Sequence, residues 1–147
     1  TGAQRTTGWE LGVAGDVTAR WQVAGGYATQ RARIVSRTGS APTGAQVPLV
    51  PEETISLWNR VRVVHRLALG VGVVHQGKSY AAIDNTVTLP AFTRVDGAAF
   101  VTLSENLKLQ ANVENVLDAR YYPTSHGNNN IMPGAPRTLR MSIAATR

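Results

Sequence analysis

The side chains best suited to proton transfer or metal ligation near neutral pH are three histidines, His65, His75 and His126. They are too dispersed to form a sequence-local metal site, and no carboxylate cluster accompanies them. Ser79, His75 and Asp84 fall close together and carry the groups of a serine hydrolase triad. Nothing in the surrounding sequence orients them for that work. No G-x-S-x-G, H-E-x-x-H or P-loop pattern occurs. Leu69–Gly70–Val71–Gly72 superficially matches a dinucleotide loop, but His75 stands where the third glycine belongs and no helix follows. The absence of cysteine removes disulfides, thiolate zinc sites and cysteine nucleophiles. The sequence therefore reads as a non-enzyme with no cofactor and no protein-bound metal.

The elements that would position these groups are bounded by composition. The chain has 147 residues, of which 43% are hydrophobic, 16% are charged and 14 are glycine. That is too apolar for disorder and too polar for a helical membrane bundle. No run approaches the roughly 18 apolar residues of a spanning helix, and no segment reads as a signal peptide. Because the chain does not begin with Met, it is expected to be a mature product or a piece of something longer. The net charge of +6 invites a nucleic-acid reading. Yet the two arginine clusters, Arg31/Arg33/Arg37 and Arg60/Arg62/Arg66, lack the helix or interleaved aromatics of a nucleic-acid reader. They read as solvated charges on alternating strands, and no nucleic-acid partner is expected.

The dominant hydrophobic period is two. Leu139, Met141 and Ile143 alternate with Arg140, Ser142 and Ala144; Leu107, Leu109, Ala111 and Val113 alternate with Lys108, Gln110, Asn112 and Glu114. Similar alternation runs through Trp9–Val13, Trp21–Tyr27, Leu67–Val73 and Val95–Val101. Pro51–Glu53 could open a helix with Trp58, Val61 and Val64 on one face. The β-branched alternation of Ile55, Leu57, Val61 and Val63 favours a strand. The sum is seven strands of about 9–13 residues.

Connections between them alternate in length. Asp16–Arg20, His65–Arg66 and Ser104–Asn106 are short, whereas Ile34–Glu53, Lys78–Leu89 and Asp118–Pro136 are long and rich in turn residues. In an antiparallel meander all short turns then fall at one end and all long loops at the other. That asymmetry, with strands of about ten residues, is the signature of a transmembrane β-barrel. One face carries Leu, Val, Ile and Trp; the other carries Arg60, Arg62, Arg94, Asp96, Lys108, Gln110, Asn112, Glu114 and Arg140. Long charged side chains at mid-strand suit a wet lumen, and Trp21, Phe92 and Tyr121–Tyr122 suit interface girdles. Alternation alone does not say which face points outward, so a soluble ligand-binding β-barrel or sandwich, apolar face inward, is the competing reading. Seven strands do not close, since single-chain bacterial barrels have even counts. The expected fold is all-β: an antiparallel, up-and-down segment of a transmembrane β-barrel.

The run Asn112–Val113–Glu114–Asn115–Val116–Leu117–Asp118–Ala119–Arg120–Tyr121–Tyr122 resembles the last-but-one strand of TonB-dependent outer-membrane receptors. The polar His126–Asn130 loop, Gly134–Ala135–Pro136–Arg137 and the strand from Thr138 to Thr146 follow in that family's order. Gly8–Trp9–Glu10–Leu11 and Leu89–Asp96 resemble two of its upstream strands. The Asn-rich last loop looks most like the ferric-siderophore receptors. The resemblance implies a barrel of about 22 strands with a separate plug, to which residues 1–147 contribute the C-terminal strands and no plug. It also implies ferric siderophore as ligand, the remaining strands, the plug and a TonB complex as partners, and the outer membrane of a Gram-negative bacterium as location. Two departures stand out: Arg147 occupies the end where an aromatic is usual, and Leu117 stands where Phe is commoner.

Asn112, Asn115, Asp118, Tyr121, Tyr122, Gly134, Pro136 and Arg137 carry the motif and read first as structural. Asn115 and Asp118 are suited to bonding backbone where strand gives way to loop, and Asp118 is an expected ion-pair partner for Arg137. Tyr121 and Tyr122 would sit amphipathically at the rim. Ligand recognition, which would not require protein metal ligands because a siderophore supplies its own, would use rim aromatics and cations. The candidates are Tyr80, Arg94, Tyr121, Tyr122 and His126.

Overall fold

The computed structural model describes residues 2–37, 39 and 41–146. Eleven strands follow in order: β1 Gln4–Thr18, β2 Trp21–Ile34, β3 Glu53–Val64, β4 Leu67–Gln76, β5 Ser79–Tyr80, β6 Thr88–Leu89, β7 Phe92–Ser104, β8 Leu107–Glu114, β9 Thr124–Gly127, β10 Asn130–Met132 and β11 Thr138–Ala145. Seven of them form one antiparallel sheet in the order β1-β2-β3-β4-β7-β8-β11, so the large sheet is an uninterrupted meander. The ambiguous segment after Pro51 is a strand. Strand lengths in this sheet run from 8 to 15 residues, wider than the period-two pattern suggests.

Two-residue turns at Ala19–Arg20, His65–Arg66 and Glu105–Asn106 join strands at one end. A register shift precedes each, at Asp16/Thr18, Arg62/Val64 and Thr102/Ser104. The bypassed residues Val17, Val63 and Leu103 are all apolar and exposed. Bulges of this kind tighten twist and terminate pairing at barrel rims. At the other end, the connections between β4 and β7 and between β8 and β11 carry the two small hairpins β5–β6 and β9–β10. The sequence does not predict these hairpins, and Leu89 belongs to β6 instead of opening β7.

Register fixes the faces, because residues paired across an antiparallel ladder share a side. Leu11, Tyr27, Ile55, His75 and Thr93 form one such row, and Gly97, Val113 and Leu139 another. The face holding Leu11, Leu57, Val71, Met141 and Ile143 is apolar and open: relative exposure is 65% at Leu11, 49% at Val71 and 70% at Ile143. On β3 the stretch from Ile55 to Val63, apolar on this face except for Asn59, which accepts the Trp21 indole N–H at 3.0 Å, covers about 27 Å at about 3.4 Å per residue. That is the scale of the roughly 25 Å lipid-facing band of an outer-membrane barrel. The leucines and valines do not meet a second layer among the described residues.

The opposite face holds Arg60, Arg62, Arg94, Asp96, Lys108, Gln110, Asn112, Glu114 and Arg140. Trp58 also lies there, against the expectation that tryptophan belongs to the apolar face. Gly70 and Gly72 of β4 explain its placement: a Cβ at either would run into the Trp58 ring, so the glycines make the seat for the indole. The buried side chains cluster mainly at the long-loop end, at Ile34, Ala41, Gln46, Ser79, Ala81, Leu89, Asn115, Tyr121 and Ser125, with Ala68 buried within the sheet. No helix of the described residues is long and apolar enough to cross a membrane, which says nothing of crossing by strands.

Candidate functional site: the loop cap and the lumen wall

Polar side chains and backbone bonds tie the three long connections together. Asn85, at the tip of the β5–β6 hairpin, adopts φ of 55°. Its Oδ1 accepts from the Gln46 amide at 2.7 Å, and its Nδ2 donates to the Gln46 carbonyl at 2.9 Å. Leu49 donates its amide to the Tyr80 carbonyl at 2.9 Å. The same hairpin reaches the last loop: Ser125 Oγ donates to the Ala81 carbonyl at 2.9 Å, and Asn128 Nδ2 donates to Asp84 Oδ2 at 2.7 Å. The Thr86 amide, the larger influence, and the Asn128 side chain together hold the Asp84 carboxyl below its ordinary pKa. Sequence reasoning singles out none of Gln46, Asn85 or Ser125, and sees Asn128 only as part of the Asn-rich last loop. The available hint is the turn-forming run Asp84–Asn85–Thr86.

A second network joins β7 to the loop after β8. Phe92 and Tyr121 stack with ring centroids 4.6 Å apart. Arg94 Nη1 donates to the Tyr121 hydroxyl at 3.3 Å, and Arg94 Nη2 donates to Asp96 Oδ2 at 2.9 Å. Asp96 Oδ1 accepts the Asn115 amide at 2.8 Å. Asn115 is 1% exposed, with φ of 54°, and its side chain serves both ends of the loop. Nδ2 donates to the carbonyls of Ala119 and Ala135, and Oδ1 accepts the Ala119 amide. Asp118, at φ of 51°, accepts the Arg137 amide at 2.9 Å. Asparagine and aspartate are the non-glycine residues that most readily take this left-handed backbone.

Asp118 therefore engages the Arg137 backbone. Among the described residues no ion pair joins it to the guanidinium, which donates to the Val116 carbonyl. Gly134 lies against the Tyr121 ring, where a Cβ would overlap it, and donates its amide to the Tyr121 carbonyl at 2.8 Å. Pro136 accepts from Thr138 Oγ1, and Asn112 from Gln110 Nε2. Of the ligand candidates, Tyr121 is buried within the wall and Arg94 is engaged with Tyr121 and Asp96. Tyr122 and His126 are exposed, and Tyr80 is half-buried in β5.

The triad candidates do not assemble. His75 Nδ1 lies 2.8 Å from Thr93 Oγ1, and its Nε2 is 3.8 Å from Glu53. Asp84 is held by Thr86 and Asn128, while Ser79, 2% exposed, has no hydrogen-bond partner for its hydroxyl among the described residues. Among the described residues no group of three His, Asp or Glu could hold a metal ion.

A meander with an exposed apolar face, a polar inner face, tight turns at one end and an interlocked loop cap at the other is a segment of transmembrane β-barrel wall. Residues 1–116 match the family described as "TonB dependent receptor-like, beta-barrel", and the chain belongs to that family. It is 30% identical to the probable TonB-dependent siderophore receptor PiuA of Acinetobacter baumannii, over 97% of this chain and 20% of that protein. It is 32% identical to the catecholate siderophore receptor Fiu of Escherichia coli K12, over 96% of this chain and 19% of Fiu. The crystal structure of PiuA superimposes with a TM-score of 0.88 over 98% of this chain and 22% of PiuA, at 25% identity. The closed form of Fiu gives 0.87 over 98% and 21%, at 27% identity. The chain thus spans about a fifth of the length of these relatives.

Proposed function

We propose that residues 1–147 are the C-terminal part of the barrel of an outer-membrane receptor that imports ferric siderophores under TonB-dependent energy coupling. The observation carrying this reading is the exposed apolar face: a wall built this way is stable with hydrocarbon on one side and water on the other. The motif order at the carboxyl end and the relatives' identity as siderophore receptors support the ligand class. The segment acts as wall and vestibule. Its strands close against the remaining strands of the receptor, its inner face borders the plug, and its three outer loops form part of the mouth.

Ligand contact at that mouth falls to the exposed Tyr122 and His126 and to Tyr80. Tyr121 and Arg94 contribute chiefly by fixing the vestibule wall beneath them. Uptake of a panel of radiolabelled ferric siderophores by iron-starved cells tests the reading. Cells carrying the full-length receptor should accumulate at least one ferric siderophore in a TonB-dependent manner, and cells lacking it should not. Equal uptake of every member of the panel by both would overturn it.

A further inference from the structure

We propose that the outer face of β1 and β2, at the loop end of the lipid band, binds the phosphorylated headgroup of a lipid. The inference rests on the reading of the chain as barrel wall. The β1–β2 register runs unbroken from Asp16↔Gln22 to Gln4↔Ile34, so alternation assigns each side chain along it to one face. Leu11 and Tyr27 share a row on the lipid side, and counting on by twos brings Arg5, Arg31 and Arg33 to that side. Arg5 stands directly opposite Arg33, with Arg31 in the next row down opposite Thr7. All three are exposed. On the seven strands of the large sheet, as described, no other Lys or Arg takes the lipid side.

Like charges opposite one another across a ladder destabilise it, and this wall does not offset them. Neither β1 nor β2 carries a carboxylate on this face, since Glu10 and Asp16 both turn to the lumen. On β3, Glu53 shares the lipid side but faces His75 at 3.8 Å, and Glu52 before it alternates to the other side. None of the three arginines makes an ion pair among the described residues. Arg33 is held in place by donation from Nη1 to the Gly44 carbonyl at 3.0 Å. Its Nε and Nη2 are left for an acceptor outside the chain. A phosphate suits this cluster, because its oxygens accept parallel N–H bonds from planar guanidinium groups.

What lies beneath the arginines selects an amphiphile. Trp9 and Tyr27 pack edge to face with ring centroids 5.0 Å apart, as aromatics do at a membrane interface. Leu11 and then Val13 follow on the same side toward mid-strand, where hydrocarbon begins. Arg31 is four residues beyond Tyr27, about 14 Å of strand, or about 10 Å of height at a tilt of about 45°. The headgroup zone outside the hydrocarbon is about 5–8 Å thick, and an arginine lays its stem along the wall to reach back into it. A lipid seated here keeps its chains against Leu11 and Val13 and its phosphate among the arginines. Free phosphate meets only the second of these surfaces.

The test uses the full-length receptor, delipidated in neutral detergent, with native mass spectrometry reading bound lipid. The probe is purified diphosphoryl lipid A, compared with the same lipid after enzymatic dephosphorylation. The receptor should bind the diphosphoryl form at least about tenfold more tightly. Arg31→Gln with Arg33→Gln should reduce that preference by about tenfold, and Arg31→Gln alone, if the pair assembles poorly, by about threefold. Arg62→Gln, on the lumen face, should leave it intact. Equal binding of the two lipids, a preference that the Arg31 and Arg33 changes do not alter, or displacement of the lipid by millimolar inorganic phosphate would overturn the inference. Heat-dependent mobility on gels reports barrel closure separately, and its absence would contradict the barrel reading and this inference together.

Discussion

Asn115 ties the end of β8 to both ends of the loop that follows, because it satisfies three loop backbone groups and holds a left-handed turn that most residues resist. Asn115→Ala leaves two carbonyls and an amide without their partner and places alanine at positive φ. The expected loss is about 2–4 kcal/mol, read as a shift in the denaturant midpoint of the full-length receptor in detergent. Asn115→Gly relieves the backbone and loses only the bonds, so it should fall between alanine and wild type. Gly134→Ala should cost about 1–3 kcal/mol by forcing Tyr121 from its seat, with the same midpoint as readout. Asp84 gives a pH signature. Its pKa in the folded loop lies below the ordinary value, so the tether to Thr86 and Asn128 is complete above the ordinary carboxylate range. It is lost as pH falls through the lowered value. The protection of the Thr86 amide, its exchange rate compared with the intrinsic rate at the same pH, should fall on acidification across that window, and Asp84→Asn should remove that fall. The motif makes Asn115 and Asp118 visible in sequence as backbone-bonding residues. The Gln46–Asn85 and Asp84–Asn128 clasps join residues about forty positions apart in loops with no periodicity, and only the folded chain brings them together.

At the scale of elements, the seven long strands are legible in the sequence because alternation over eight or more residues has few alternative explanations. The hairpins β5–β6 and β9–β10 are not, since strands of two to four residues carry no period and owe their pairing to the clasps around them. Trp58 misleads for a related reason. Its apolar character suggests the outer face, while its position in the alternation and the glycines at 70 and 72 put it inside. Face assignment makes a sharp prediction at adjacent positions of β3. Leu57→Arg, on the lipid side near mid-strand, should destabilise the full-length barrel by about 2–4 kcal/mol. Ser56→Arg, one residue away and facing the lumen, should change stability by less than about 1 kcal/mol. Urea unfolding of the receptor reconstituted in bilayers measures both.

At the scale of the molecule, the described sheet ends in β1 on one side and β11 on the other, and each presents an unpaired edge. In hydrocarbon every such backbone group costs several kcal/mol, and in water such an edge templates association. The isolated chain is therefore expected to aggregate in buffer and to need detergent, checked by light scattering with and without micelles. A monodisperse chain in plain buffer would count against a lipid-facing wall. The choice between a lipid-facing and an inward-packed apolar face is open in the sequence, because period two is the same for both. The match to the receptor barrel family and the superposition on the PiuA and Fiu barrels resolve it.

Spin labels test that orientation most directly, since this chain contributes no cysteine of its own. Single cysteines at the lipid-side positions Leu11, Val71 and Met141, and at the lumen-side positions Gln22, Gln110 and Ser142, would be labelled in the full-length receptor reconstituted in liposomes. High collision rates with oxygen and low rates with a water-soluble nickel chelate are expected at the first three positions, and the reverse at the second three. Labels at Leu11, Val71 and Met141 that meet the chelate more often than those at Gln22, Gln110 and Ser142 would contradict the assignment of the apolar face to lipid.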